Sequence, residues 1–113
     1  MSVVRGEVVR VRLDPTEGSE IRKTRPCVVV QRDAANRGGR TTIVCPLSAA
    51  AGKRPGTLVV PVPAGIGGTT KESVVMCAQV RMVDQVRVLE SIGMLPPDIL
   101  EQVNAGLRTV LDL

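Results

Sequence analysis

The apolar residues of this chain fall into short valine-rich runs that alternate with Gly and Pro punctuation. This punctuation limits the fold to a small antiparallel barrel or sandwich rather than a βαβ architecture. The first run, Glu7 to Leu13, places Val9, Val11 and Leu13 on one face and Arg10 and Arg12 on the other. Pro26 to Gln31, Thr41 to Leu47, Thr57 to Val62, Ser73 to Val83 and Val86 to Leu89 read as further strands. A helix is expected from Pro96-Pro97-Asp98, with Leu100, Val103, Leu107 and Val110 at helical spacing. Gly106 weakens that helix by about 1 kcal/mol relative to Ala, so packing must stabilise it. At 113 residues the chain reads as one domain, 1–113, of a size that buries roughly two-thirds of its unfolded surface.

The connections differ in kind. Ala34 to Arg40 reads as a hairpin turn, and Ala49 to Gly56 and Pro63 to Glu72 as Gly-rich loops. Gly65, Gly67 and Gly68 lack the Lys-Ser or Lys-Thr of a phosphate loop, so that loop is expected to be flexible cover. Asp14 to Thr24 is long for a compact domain and points to a binding loop.

What the chain lacks narrows its chemistry. It contains no Phe, Trp, Tyr or His. No histidine acts as general acid, general base or metal ligand, and no aromatic ring stacks on a base. Reactive groups must come from Arg, Lys, Asp, Glu, Ser, Thr, Cys or the backbone. Cys27, Cys45 and Cys77 are odd in number, far apart and each set in an apolar run; they read as buried thiols of a reducing cytosol. The N-terminus carries no apolar signal segment and no run approaches a membrane span, so a cytoplasmic protein is expected. Charge is uneven: Met1 to Arg54 carries a net +6 and Pro55 to Leu113 a net −2, and twelve of the fifteen cations are arginine. The planar arginine fork suits phosphate, so a polyanionic partner and a merely solvated basic face are the two readings of this half.

The second and third runs make a geometric prediction. A hairpin centred near Arg37 pairs positions whose numbers sum to about 73 or 74, which sets Arg25 opposite Ser48 or its neighbour. Pro26 supports this by holding the preceding residue extended, whereas a bulge at Pro46 would break the register. Immediately before lies Glu17-Gly18-Ser19-Glu20-Ile21-Arg22-Lys23-Thr24-Arg25-Pro26, with three cations, two carboxylates and two hydroxyls. Taken alone it also reads as a solvated polar loop; convergence with Ser48 favours a reactive site.

Six segments resemble the MazF/PemK family of toxin mRNA interferases over nearly the whole chain. They are Arg5-Gly6-Glu7-Val8, Leu13 to Glu20, Arg22-Lys23-Thr24-Arg25-Pro26, Val44-Cys45-Pro46-Leu47-Ser48, Ser73 to Arg81, and Ile92-Gly93-Met94-Leu95. The resemblance implies a mainly β fold, an SH3-like small barrel of the MazF/PemK/CcdB type with a C-terminal helix. It also implies a homodimer and metal-independent cleavage of single-stranded mRNA at short sequences, without a cofactor. The expected partner is a cognate, MazE-like antitoxin whose disordered acidic tail covers the basic groove. Three positions depart from the family pattern: Ser48 where threonine is usual, Ala49 where another hydroxyl is frequent, and Ala78 where aspartate often precedes the glutamine.

By this resemblance Arg25 and Ser48 form the catalytic pair. The chemistry suits the inventory, because in RNA the adjacent 2′-hydroxyl attacks its own phosphate, leaving a 2′,3′-cyclic phosphate and a 5′-hydroxyl. The protein supplies only proton transfer, in-line orientation and charge stabilisation. Arg25 is assigned to the phosphate oxygens and Ser48 to a phosphoryl hydrogen bond. Guanidinium groups hold their proton to pH above about 12, so Glu20 stands beside Arg25 as the alternative base; Glu20 equally fits an ion pair with Arg22 or Lys23. Gln79 suits the edge of an unpaired base or a satisfied strand position, and Arg81 a phosphate or plain surface. Ser19, Arg22, Lys23, Thr24, Lys53 and Arg54 complete the expected RNA-binding set. Two rivals remain: a gyrase poison like CcdB, which lacks the Arg22 to Pro26 motif and carries a C-terminal tryptophan, and a non-catalytic nucleic-acid-binding barrel.

Overall fold

The computed structural model describes residues 2–13 and 23–113. The expectations for Ser19, Glu20 and Arg22 lie outside the described residues. The strands are β1 (Glu7–Leu13), β2 (Lys23–Val29), β3 (Thr41–Ala49), β4 (Val59–Val62), β5 (Ser73–Met76), β6 (Arg81–Asp84) and β7 (Val88–Met94). A one-turn helix, α1 (Asp33–Asn36), joins β2 to β3, and α2 (Pro97–Leu111) closes the chain. All strand pairings are antiparallel, in the order β4-β5-β3-β2-β1-β7 with β6 on β3. The fold is mainly β with a C-terminal helix, as expected, but among the described residues the seven-stranded sheet does not close on itself.

β1 lies between β2 and β7. Its first half differs from the expected alternation, because Val8 is buried as fully as Val9 and Val11. A strand covered on both faces reads as a continuous apolar run, and here the faces serve two cores. Val8 joins Val28, Cys45, Leu47, Val60, Val62, Val75 and Cys77 beneath Ile99 and Val103 of α2. Val9 and Val11 join Val3, Cys27, Val29, Val44 and Val83 on the other side.

The expected strand from Ser73 to Val83 is broken. β5 pairs with Leu47–Ala49 and β6 with Thr41–Val44, so the two lie along different lengths of one β3 edge. Cys45 and Pro46 have no partner on that edge, and a 3-10 turn at Cys77–Gln79 carries the chain past them. The last strand begins later than its composition suggests, at Val88, because Gln85–Arg87 forms another 3-10 turn. β4 likewise starts at Val59 rather than Thr57.

The β2–β3 connection is also more structured than a simple turn. Asn36 at the end of α1 is wholly buried, and its Oδ1 accepts from Gln31 Nε2 (2.8 Å) and Thr42 Oγ1 (2.7 Å). Its Nδ2 donates to the Gln31 carbonyl at 3.0 Å, and Gln85 Nε2 donates to the Asn36 carbonyl at 3.1 Å. One side chain thus ties both ends of the connection together. Arg5 performs a similar service for the termini, donating Nε to the Val30 carbonyl (2.9 Å) and Nη2 to Asn104 Oδ1 of α2 (2.5 Å).

The Gly-rich loop between β4 and β5 is a packed element rather than loose cover. Gly67 and Gly68 have φ of 66° and 83°, and they lie backbone to backbone against Ile92–Gly93 of β7. A Cβ at Gly93 would stand 2.5 Å from the Gly67 carbonyl carbon. Relieving that clash requires moving backbone, so Gly93→Ala should destabilise the fold by about 1–3 kcal/mol and lower the thermal midpoint by roughly 5–15 °C. Thermal denaturation followed by circular dichroism measures this, and an unchanged midpoint would contradict the packing described.

Candidate active site

The register of β2 on β3 decides where the polar side chains go. Cys27 pairs with Pro46, Val28 with Cys45 and Val29 with Val44, so partner numbers sum to 73 and no bulge intervenes at Pro46. Continued by two residues, this register sets Arg25 opposite Ser48. The side chains meet accordingly: Arg25 Nη1 donates to Ser48 Oγ at 3.1 Å. Both are half-buried, at the edge of the sheet face whose interior carries Cys27, Val29 and Val44. Because Ser48 Oγ accepts from the guanidinium, its own proton remains free for an acceptor in the cleft.

That cleft has a volume of about 330 Å³. Arg25, Ser48 and the exposed Lys53 line it, with Pro26 and Leu47 as its apolar floor. Lys71 and Ser73 complete the wall. Neither was expected from the sequence. Ser73 reaches the site because it pairs with Ala49, one residue past Ser48, and this contact between non-consecutive strands has no local signature. A Lys-Glu-Ser step entering a strand is the only trace the chain offers.

The remaining expected residues are dispersed. Thr24 is exposed on β2, and Lys23 opens that strand opposite Leu13. Arg54 follows Lys53 and is exposed. Gln79 lies in the 3-10 turn rather than on a strand, exposed, and Arg81 opens β6 opposite Val44. Neither lines the Arg25–Ser48 cleft.

All three cysteines are fully buried free thiols. Burial pushes the Cys27 thiol up to about 12, against the opposing pull of the Arg25 and Arg81 cations. Cys45 is also raised, by its hydrogen bond with Cys77 and by burial.

Comparison with known proteins gives a consistent result. The family model described as PemK-like, MazF-like toxin of type II toxin–antitoxin system matches residues 4–111. "Endoribonuclease EndoA" of Bacillus subtilis is 33% identical over 113 residues, covering 100% of this chain and 97% of that one. "Endoribonuclease MazF6" of Mycobacterium tuberculosis is 28% identical over 116 residues, covering 100% of both. Among solved structures, a MazE–MazF crystal structure from Deinococcus radiodurans superposes with a TM-score of 0.83 at 26% identity, covering 100% of this chain and 98% of that one.

Buried Cys27 makes stability sensitive to alkali in a defined direction. Above the ordinary thiol value of 9.0 an unfolded Cys27 loses its proton, whereas the folded one keeps it until about 12. The unfolded state then binds fewer protons, so stability falls as pH rises across that window. Thermal midpoints measured from pH 8.5 to 11.5 should decline, and Cys27→Ala should make the decline shallower; parallel slopes would contradict the assignment.

Proposed function

This chain belongs to the PemK-like, MazF-like toxin family of type II toxin–antitoxin systems, and from that premise we propose that it is an endoribonuclease whose reaction centre is the Arg25–Ser48 pair. The observation that carries the reading is the 3.1 Å contact of guanidinium and hydroxyl at the mouth of a cleft that also holds Lys53 and Lys71. A cleft with three cations and a free hydroxyl proton suits a phosphodiester, whose charge grows as the reaction proceeds.

In this reading single-stranded RNA lies in the cleft with one phosphate over Arg25 and Ser48. The 2′-oxygen bonds to phosphorus as its proton passes to a base. The bond to the 5′-oxygen breaks, and that oxygen takes up a proton. The products are a 2′,3′-cyclic phosphate and a 5′-hydroxyl. Arg25 faces the non-bridging oxygens, and Ser48, oriented by Arg25, donates a hydrogen bond through its hydroxyl proton to the same group. Glu20 is the alternative to Arg25 as acceptor of the proton from the 2′-hydroxyl. Gln79 and Arg81, with Ser19, Arg22, Lys23, Thr24, Lys53 and Arg54, are the residues assigned to holding bases and phosphates. The step needs no metal and no cofactor, because nucleophile and leaving group both belong to the RNA.

Residues 1–113 act as one unit, and the working form is a homodimer. The partner is an antitoxin with an acidic segment that competes with RNA for the same cations; the Deinococcus radiodurans relative crystallised as a MazE–MazF complex. Among the described residues no helix is long and apolar enough to cross a membrane, and the assigned location is the cytoplasm, where mRNA is met.

The test is incubation of the purified protein with a long single-stranded RNA in EDTA, followed by end mapping. Discrete cuts with cyclic-phosphate and 5′-hydroxyl ends are expected. Arg25→Ala should abolish them while the far-ultraviolet spectrum stays native. Ser48→Ala should slow cleavage by about 10²- to 10⁴-fold, and Ser48→Thr should remain active. Intact RNA with folded wild-type protein, or unchanged cleavage by Arg25→Ala, would overturn the reading.

A further inference from the structure

A second, smaller cleft of about 120 Å³ adjoins the first. The two share Pro26, Lys71 and Ser73, and the second continues past them to Arg10, Thr70 and Ile92. Half-buried Pro26 therefore lines both depressions, and among the described residues Lys71 is the only cation common to both.

The cations along this track differ in their availability. Arg10 is held by Glu90, Nε to Oε2 at 2.8 Å, so its charge is already matched. Lys71 is exposed and has no ion pair among the described residues. Its neighbour Glu72 is turned away, its Oε2 accepting from the Ala64 amide at 3.2 Å. The Lys71 backbone is braced as well: the buried Ser73 hydroxyl donates to the Lys71 carbonyl at 3.0 Å, and the Ala50 amide donates to the Glu72 carbonyl at 3.0 Å. Lys53, in the loop that follows β3, lines the first cleft and not the second. An ammonium with no ion pair among the described residues, on a braced corner shared by two depressions, is placed for a second anion beside the first.

Resting on the endoribonuclease reading, we propose that the two clefts are consecutive positions of one RNA track, in which Lys71 binds the phosphate adjoining the scissile one. Lys71 thereby fixes the position of the chain along the track, while Arg25 and Ser48 act on the bond that breaks. A point charge with three rotatable donors suits this task, since the adjoining phosphate needs to be held and not distorted.

The experiment uses an oligonucleotide containing the mapped cleavage sequence and two analogues, each with an uncharged methylphosphonate at one linkage flanking the scissile phosphate. Lys71→Gln should raise KM for the natural substrate about tenfold with kcat nearly unchanged, and Lys71→Arg should restore it. One of the two analogues should cost the wild type the same factor and cost Lys71→Gln nothing more, because the contact is already missing. Independent losses with both analogues would overturn the proposal by showing that Lys71 contributes only general attraction. So would a Lys71→Gln variant that cuts like the wild type. A folded wild type that leaves every RNA intact would refute the endoribonuclease reading itself and this proposal with it, whereas a cutting wild type confines any failure to Lys71.

Discussion

The antiparallel pairing of β3 along both of its edges is the constraint from which the rest of the molecule follows. On one side it meets β2 without a bulge; on the other it meets β6 along its first half and β5 along its last. The first pairing carries Arg25 to Ser48, and the second brings Ser73, with Lys71 just ahead of it, to the same place. A one-residue slip would turn every side chain of the moving strand to the opposite face, taking Cys27 and Val29 out of their core along with Arg25 out of the site. Site geometry and core burial are thus enforced by the same ladder. The Asn36 network holds that ladder's closed end, where a shift in register would leave buried polar groups without partners.

A core made of valine, leucine, isoleucine and cysteine faces a packing problem, because no ring is available to span the gap between layers. The chain solves it by bringing backbones together. Gly106 of α2 lies where a Cβ would be 2.7 Å from both Cys77 Sγ and the Thr57 carbonyl oxygen. The helix-weakening residue is therefore what lets the helix settle on the sheet. Gly67, Gly68 and Gly93 make the equivalent approach on the other side of the same core. Small side chains then fill a thinner interior at ordinary density.

Much of this was legible in the sequence, for reasons that lie in particular residues. The Glu7–Leu13 run gave its strand to the residue, and the turn between Gln31 and Thr41 carried enough information to set Arg25 against Ser48, because a hairpin's register follows from its loop. The Pro96-Pro97 step marked the start of α2. What could not be read was anything that depends on strands meeting out of order. The break at Cys77–Gln79 exists because β5 and β6 divide one edge of β3 between them, and Ser73 to Val83 contains no residue that announces it. Lys71 has no local signature for the same reason. The packing of the Gly-rich loop is invisible to composition, which reports glycine's freedom and not the backbone pressed against it. Val8 was hidden by an alternation rule that holds for strands wet on one face.

The ring-free interior has an optical consequence. Without Trp, Tyr or Phe the protein is nearly blank in the near ultraviolet and has no intrinsic fluorescence of its own. Nucleic acid mixed with it can be followed at its own absorption band with almost no contribution from the protein. A single tryptophan introduced at an exposed position such as Gln79 would then be the sole emitter in the molecule. Every change in its signal would come from one known place on the surface, an advantage that most folds of this size must be stripped of their own chromophores to gain.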